Sequence, residues 1–324
     1  MTLAFKNIQP RSLGFFKTHE KRGHYMDRVI SIVGHTALDY IVDVEKIAGK
    51  NESSPVIDYE EYPGGGAANI AVGIARLGGK SQLISPVGTD FASSGYEKLL
   101  TDACVDLSRL YRLEDRKISK AFIFTDKEDN QTTYFYWGAS SKFKELDPEP
   151  ADFVHLATAD SVYNAKIAQI AGFVSFDPGQ DLVTYSKEKL ELILAHTDIL
   201  FANRHEIRRV SEMTGKSFSE LKAMIDIIVV TYDAEGSRIY TDKEEFAIPV
   251  VSVKAVDPTG AGDAYRAGFL LAFTRRYSLP TCGKIGSTVA SFAVQTQGCQ
   301  TGLPTWEEMK ARYEANFGKL EQGY

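Results

Sequence analysis

The chain predicts an α/β fold: a doubly wound, mostly parallel sheet with helices on both faces, carrying a small projecting β-sheet as a lid. Three observations predict it. From residue 28 onwards, short apolar runs of strand length alternate with longer runs of helical periodicity. Those apolar runs end in polar residues, and in such sheets ligands collect at the carboxyl ends of the strands. Two segments, 39–62 and 118–137, break the rhythm and alternate like exposed antiparallel strands.

In order, RVISIVG (28–34) reads as a strand ending in Gly34, and GGAANIAVGIARLG (65–78) as a helix closed by Gly78. SQLISPVG (81–88) is a strand. SSGYEKLLTDACV (93–105) is a helix with Ser93 or Ser94 as its N-cap. Apolar β-runs follow at 152–158, 172–179, 197–206 and 226–236, with helices such as SKEKLELILAHT (186–197) between them. The second irregular segment holds a hairpin that turns near DKEDN (126–130). A sheet with one apolar face and no helix of its own must cover a ligand or a second copy of itself.

A length of 324 residues suits one large α/β domain, expected over 26–317 with a tail at 318–324. The basic first 25 residues lack apolar periodicity and a secretory h-region. They are expected to be a disordered extension ahead of Met26, with an organelle-targeting peptide as the alternative. A net charge of −6 without a basic stripe gives nucleic-acid binding no support. No apolar run reaches the ~18–20 residues of a membrane helix. Three widely spaced cysteines suit reduced thiols in a cytoplasmic protein.

GGKS (78–81) and TGKS (214–217) imitate a phosphate-binding loop, but Ile74 and Val210 stand where its first glycine belongs. No GxGxxG exists, since Tyr265 occupies the last position of GAGDAY. The segment VDPTGAGDAYRAGF (256–269) is more informative. Gly260, Ala261 and Gly262 can wrap into a nest of N–H groups at a helix N-terminus, an anion hole suited to a phosphoryl group. Asp263 at its rim can take a proton from an alcohol, although an aspartate in a first helical turn also serves stability alone. In PGGGAANIAVG (63–73), Gly64 and Gly65 let backbone approach a ligand, and Asn69 with Asp39 offers hydrogen bonds matched to a polyol. In NRHE (203–206), Asn203 and Glu206 lie about one turn apart, a pair able to orient waters on Mg²⁺. YFYW (134–137) turns alternate aromatic rings to opposite faces of a strand, where two can stack on a planar base while the others pack the lid or a dimer seam.

Taken together, GHTALD with Asp39, GGGAAN with Asn69, NRHE and DPTGAGD resemble the PfkB or ribokinase family of sugar and nucleoside kinases, in family order from about Met26 to Phe317. The resemblance implies a Rossmann-like, ribokinase-like domain with a β-lid, ATP and Mg²⁺, Asp263 as catalytic base and a homodimer through the lid. IFTDK, YFYWGA, SFDPGQD and GCQTGLPTW look closest to the archaeal nucleoside kinases of broad base specificity. That likeness implies that Asp39 and Asn69 hold ribose hydroxyls, and that Gln180 and Trp137 lie near the nucleoside. It puts Asn203, Thr231 and Gly236 on the ATP side, and Glu206 near the metal through water. Two departures weaken a free-ribose reading: ribokinases have Asn where Ala37 stands and Lys where Gly66 stands. The usual Thr-x-Gly-x-x-Gly reads TYDAEG, which puts Asp233 near the phosphates. Sugar or sugar-phosphate phosphorylation, and a nucleoside-binding module without catalysis, are the alternatives.

Overall fold

The computed structural model describes residues 28–128 and 130–321, so the expectation for the first 25 residues and the end of the 318–324 tail lie outside the described residues. The central sheet has eight strands in the order β14-β13-β12-β11-β10-β9-β1-β4. Its parallel part comprises β1 (Val29–Val33), β4 (Lys80–Ile84), β9 (Phe153–Leu156), β10 (Phe173–Phe176), β11 (Ile199–Asn203) and β12 (Ile227–Thr231). Those inside the sheet are mostly buried on both faces, which is why they read as apolar runs, whereas the edge strand β4 is only partly covered. Strand order reverses between β1 and β9, and a crevice opens at the carboxyl ends there.

Helices α1 (Gly66–Arg76), α7 (Ala261–Thr274), α8 (Leu279–Ala293) and α9 (Trp306–Phe317) pack with one core, which includes Ile70, Ile74, Phe269 and Ile285. Helices α3 (Ser161–Ile170), α4 (Lys187–Leu194), α5 (Arg204–Thr214) and α6 (Phe218–Met224) enclose the second, around Tyr163, Ile193 and Leu221. Gly78 ends α1 as expected: at φ +75° it donates to Ala75 O, while Gly79 donates to Ile74 O. Both imitations of a phosphate loop prove to be helix endings. Gly215 terminates α5 in the left-handed region, and Ser217 caps α6.

The lid is a four-stranded sheet, β3-β2-β7-β8, from β2 (Ala37–Val44), β3 (Val56–Gly64), β7 (Ser119–Thr125) and β8 (Gln131–Tyr136). Its hairpin turns at 126–130, where Asp126 N donates to Asn130 O. The lid is not wholly antiparallel, since β2 and β7 run parallel. They come from distant segments, and a crossover through the main domain joins them. A short two-stranded pair, β5 (Pro86–Val87) and β6 (Tyr111–Arg112), lies on that crossover.

Two further expectations are corrected. The helix after β5, α2 (Tyr96–Asp102), is capped by Gly95 at φ 80°, not by Ser93 or Ser94. The glycine reaches the left-handed conformation that a serine resists, and Ser94 is spent in the preceding turn, where its amide donates to Asp90 O. The edge hairpin β13 (Ser237–Tyr240) and β14 (Glu245–Ile248) was not expected. Its four-residue strands are too short to show a period.

Candidate active site

A cleft of 360 Å³ opens at the carboxyl ends of β1, β9 and β10, under the lid. His35, Thr158 and Asp177 follow those strands, Glu206 comes from α5, and Gly260, Gly262, Asp263 and Arg266 come from the start of α7. A larger hollow of 700 Å³ sits at the amino ends of β1 and β9, and none of the motif residues lines it.

The opening of α7 is a glycine turn. Gly260 is the N-cap at φ 78°, and a Cβ there would lie 2.8 Å from Cys299 Cβ. Thr259 N donates to Asp257 Oδ1 at 2.8 Å, and Ala261 N donates to Pro258 O at 3.2 Å, so the Ala261 amide is partly engaged within the turn. Among the described residues, the Gly262 and Asp263 amides find no main-chain acceptor and stand beside the cleft. The nest is therefore two free donors rather than three.

Asp263 turns its carboxylate into this cleft. Asn69 Nδ2 donates to its Oδ2 at 2.9 Å, and Arg266 Nη1 lies 3.4 Å from its Oδ1. Burial pushes the Asp263 carboxyl up to about 6, with Arg266 and Asn69 restraining the rise. Asn69 is fixed in turn: Gln300 Nε2 donates to its Oδ1 at 2.9 Å and also approaches the Tyr96 hydroxyl at 2.7 Å. Tyr96 OH donates to Gly64 O at 2.7 Å.

Asp39 faces the same space from β2, and its carboxylate finds no hydrogen-bond donor among the described residues. Burial pushes it up to about 7, and the charge of Asp263 adds to the rise. Gly64 must be glycine here, since a Cβ would sit 1.9 Å from Asp39 Oδ2. Gly64 therefore shapes the site by yielding space, while Gly65, Gly66 and Asn69 line it.

The lid's inner face adds Ala121, Ile123, Thr133, Phe135 and Trp137. Phe135 and Trp137 meet edge-on with centroids 5.0 Å apart, and each lies 5.4 Å from the His35 ring. Tyr134 and Tyr136 point the other way and are exposed. His35 Nε2 lies 2.8 Å from Asp181 Oδ2, and its Nδ1 lies 2.9 Å from Ser140 Oγ. Gln180 lines the cleft beside Asp181.

Asn203, Thr231 and Gly236 gather beside the cleft rather than in it. Asn203 and Thr231 are register partners on β11 and β12, and Thr231 pairs with Ser237, the residue after Gly236. Asn203 caps α5, and Glu206 Oε2 accepts from Asn203 N at 2.7 Å in a reciprocal box. Glu206 lines the cleft, and burial raises its pKa, with Asp177 adding. Asp233 is turned to solvent at φ 52° and lies 3.1 Å from Arg204 Nη2.

Sequence reasoning did not single out Arg266, Asp177, His35, Asp181 or Gln300, and it reached Phe135 only as one ring of YFYW. Arg266 carried a signal, since it lies one turn beyond Asp263 on the same helix face. Asp177 had one too, as the polar residue ending an apolar strand.

A doubly wound sheet, a four-stranded β-lid over its cleft, and a carboxylate beside free helix-terminal amides define a phosphotransferase acting on an alcohol. The pfkB family carbohydrate kinase profile matches residues 27–306, and the chain belongs to that family. It is 48% identical to a nucleoside kinase of Methanocaldococcus jannaschii over 291 residues, 88% of this chain and 96% of that protein. The crystal structure of a nucleoside kinase from that organism, an archaeal member of the ribokinase family, superimposes with a TM-score of 0.85 at 47% identity, covering 89% of this chain and 98% of that one. A Burkholderia thailandensis nucleoside kinase in complex with ADP-inosine matches with a TM-score of 0.80 at 26% identity, over 91% and 98% of the two chains.

Proposed function

We propose that this protein is an ATP-dependent nucleoside kinase, converting ATP and a nucleoside to ADP and the nucleoside 5′-monophosphate. One observation carries the reading: among the described residues Asp263 stands beside two free amides and shares its cleft with Asp39, a half-buried carboxylate that finds no donor. A polyol supplies such donors, so Asp39 and Asn69 take the ribose hydroxyls. Phe135 and Trp137 flank the planar base, with Gln180 nearby.

The 5′-oxygen attacks the γ-phosphorus, its proton passes to Asp263, and the bond to the β,γ-bridging oxygen breaks with its electron pair leaving on ADP. The Gly262 and Asp263 amides receive charge on the phosphoryl oxygens. Such chemistry asks mainly for positioning and electrostatics. Asn203, Thr231 and Gly236 border the donor nucleotide. No group of three metal-ligating side chains occurs among the described residues. Glu206, which lines the cleft with one carboxylate oxygen engaged by Asn203 N, would hold a water on a Mg²⁺ arriving with ATP. Bound there, the ion would neutralise phosphate charge.

A sugar-phosphate substrate finds less support. A second phosphate calls for further cations in the lid, but Lys117 and Lys120, near the start of β7, do not line the cleft, and Lys120 Nζ sits 5.2 Å from the Tyr40 ring centroid on the outer face. That outer face, with Tyr40 stacked on Phe122 and exposed Tyr59 and Tyr134, suits a homodimer through the lid. Three unpaired cysteines, and no described helix able to cross a membrane, suit the cytoplasm.

A coupled ADP-release assay over nucleosides, ribose and fructose phosphates tests the reading. Nucleoside-dependent turnover is expected. Faster turnover with a free sugar, or no nucleoside-dependent ADP, overturns it.

A further inference from the structure

Among the described residues the cleft is lined by five acidic side chains, Asp39, Asp177, Asp181, Glu206 and Asp263, and by one cation, Arg266. ATP is a polyanion, so the placement of that one cation matters. Side chains of a helix tilt toward its N-terminus. Arg266 accordingly reaches back one turn over Gly262, where Nη1 lies 2.7 Å from the point a Cβ would occupy. Gly262 is thus glycine for a second reason: any side chain there displaces the guanidinium.

A positive charge at the N-terminal end of a helix opposes the helix dipole and costs stability. Here it is balanced by Asp177, whose Oδ2 lies 2.6 Å from Arg266 Nη2, and more loosely by Asp263 at 3.4 Å. The guanidinium is not fully used. It carries five N–H donors, and its buried Nε finds no partner among the described residues. An arrangement meant only for stability would not hold a cation at the wrong end of a dipole with donors left over.

We propose that Arg266 is a catalytic residue of the phosphoryl-transfer step: its guanidinium and the Gly262 and Asp263 amides together grip the γ-phosphoryl oxygens in flight. Asp177 holds the guanidinium at that point. The longer contact to Asp263 gives way as that carboxylate takes the 5′-hydroxyl proton, so the cation is freed for phosphate as its second partner is neutralised. This inference rests on the kinase reading above and adds the source of positive charge.

The test compares wild type, Arg266→Ala, Arg266→Lys and the double variant Asp177→Asn/Arg266→Ala. Losing one preorganised donor to a developing oxyanion costs roughly 10²–10³-fold in kcat. Arg266→Ala is expected to lose at least that, with nucleoside affinity by calorimetry within about three-fold, because the loss falls on the transition state. Added guanidinium ion is expected to restore turnover saturably, and neutral urea of similar shape is not. The double variant, relieved of an unpaired buried Asp177, is expected to fold with normal Tm and remain slow.

The proposal is overturned if Arg266→Ala keeps kcat within about three-fold of wild type. It is also overturned if the double variant recovers activity, or if the loss tracks nucleoside affinity and Tm without guanidinium rescue. Those results define a structural partner of Asp177. Wild type that forms no nucleoside monophosphate sinks the kinase reading instead, so the two failures are separable.

Discussion

Asn69 Nδ2 donates to Asp263 Oδ2 across 2.9 Å, joining residues 194 positions apart at the facing ends of α1 and α7. Gln300 fixes the other end of the amide, so Asn69 has one orientation and Asp263 one place. A hydrogen bond to the ionised form favours it. Asp263 sits at about 6 and works ionised, so activity falls as pH drops through that value. Asn69→Ala removes the donor and should move the acid limb of kcat/KM upward by roughly one unit. An unmoved limb assigns it to another group.

Asp263→Asn keeps the shape but cannot accept the proton. Its kcat should fall by about 10²–10⁴-fold, the usual worth of general-base catalysis, with nucleoside binding by calorimetry nearly unchanged. Wild-type turnover in this variant would end the assignment.

Asp39 is held at about 7, far above its unfolded value near 3.8. Between those values the folded chain binds the proton more tightly, so this group's contribution is full below pH 3.8 and lost as pH rises through 7. At pH 8 the ionised Asp39 therefore costs stability, and Asp39→Asn should raise Tm there, by roughly 2–4 °C per kcal/mol relieved. At pH 4 the two proteins should melt alike, while nucleoside KM rises. Equal Tm values at pH 8 would contradict the burial argument.

Asp233 holds a left-handed conformation and pairs with Arg204 beside the proposed donor site. Asp233→Gly relieves a strain of about 1 kcal/mol and loses an exposed ion pair worth less. It also removes a negative charge near incoming phosphates. KM for ATP should fall by roughly 2–5-fold at low ionic strength, with the gap closing as salt is added. A higher KM would show that the carboxylate aids the donor.

Neighbouring lid aromatics should separate cleanly. Phe135 faces the cleft, and Phe135→Ala should raise nucleoside KM about ten-fold, in line with ~1–3 kcal/mol per stacked base. Tyr134 is exposed on the other face, so Tyr134→Ala should leave KM alone and lower the dimer fraction in light scattering. The reverse pattern would place the base on the outer face.

Much of this was local and so legible. Buried parallel strands show as apolar runs because both their faces are covered, and GAGD announces a helix N-terminus because glycine is needed there. The lid was legible as alternation, but not its parallel β2–β7 pairing, since register between distant segments leaves no mark in either. The β13–β14 hairpin was too short to declare a period.

By itself, then, the sequence determined the fold class and marked the glycine turn at 260–263 together with Asp263, Asn69 and Asp39, which the fold brings to one cleft. Only the tertiary structure decided that, among the described residues, two amides of the nest are free, Asp39 lacks a donor, and Arg266 lies over Gly262 as the cleft's one guanidinium. The physical reason is range. Backbone conformation and periodic burial are set by near neighbours in the chain, whereas charge pairing and desolvation depend on which distant groups the folded sheet brings within a few ångströms.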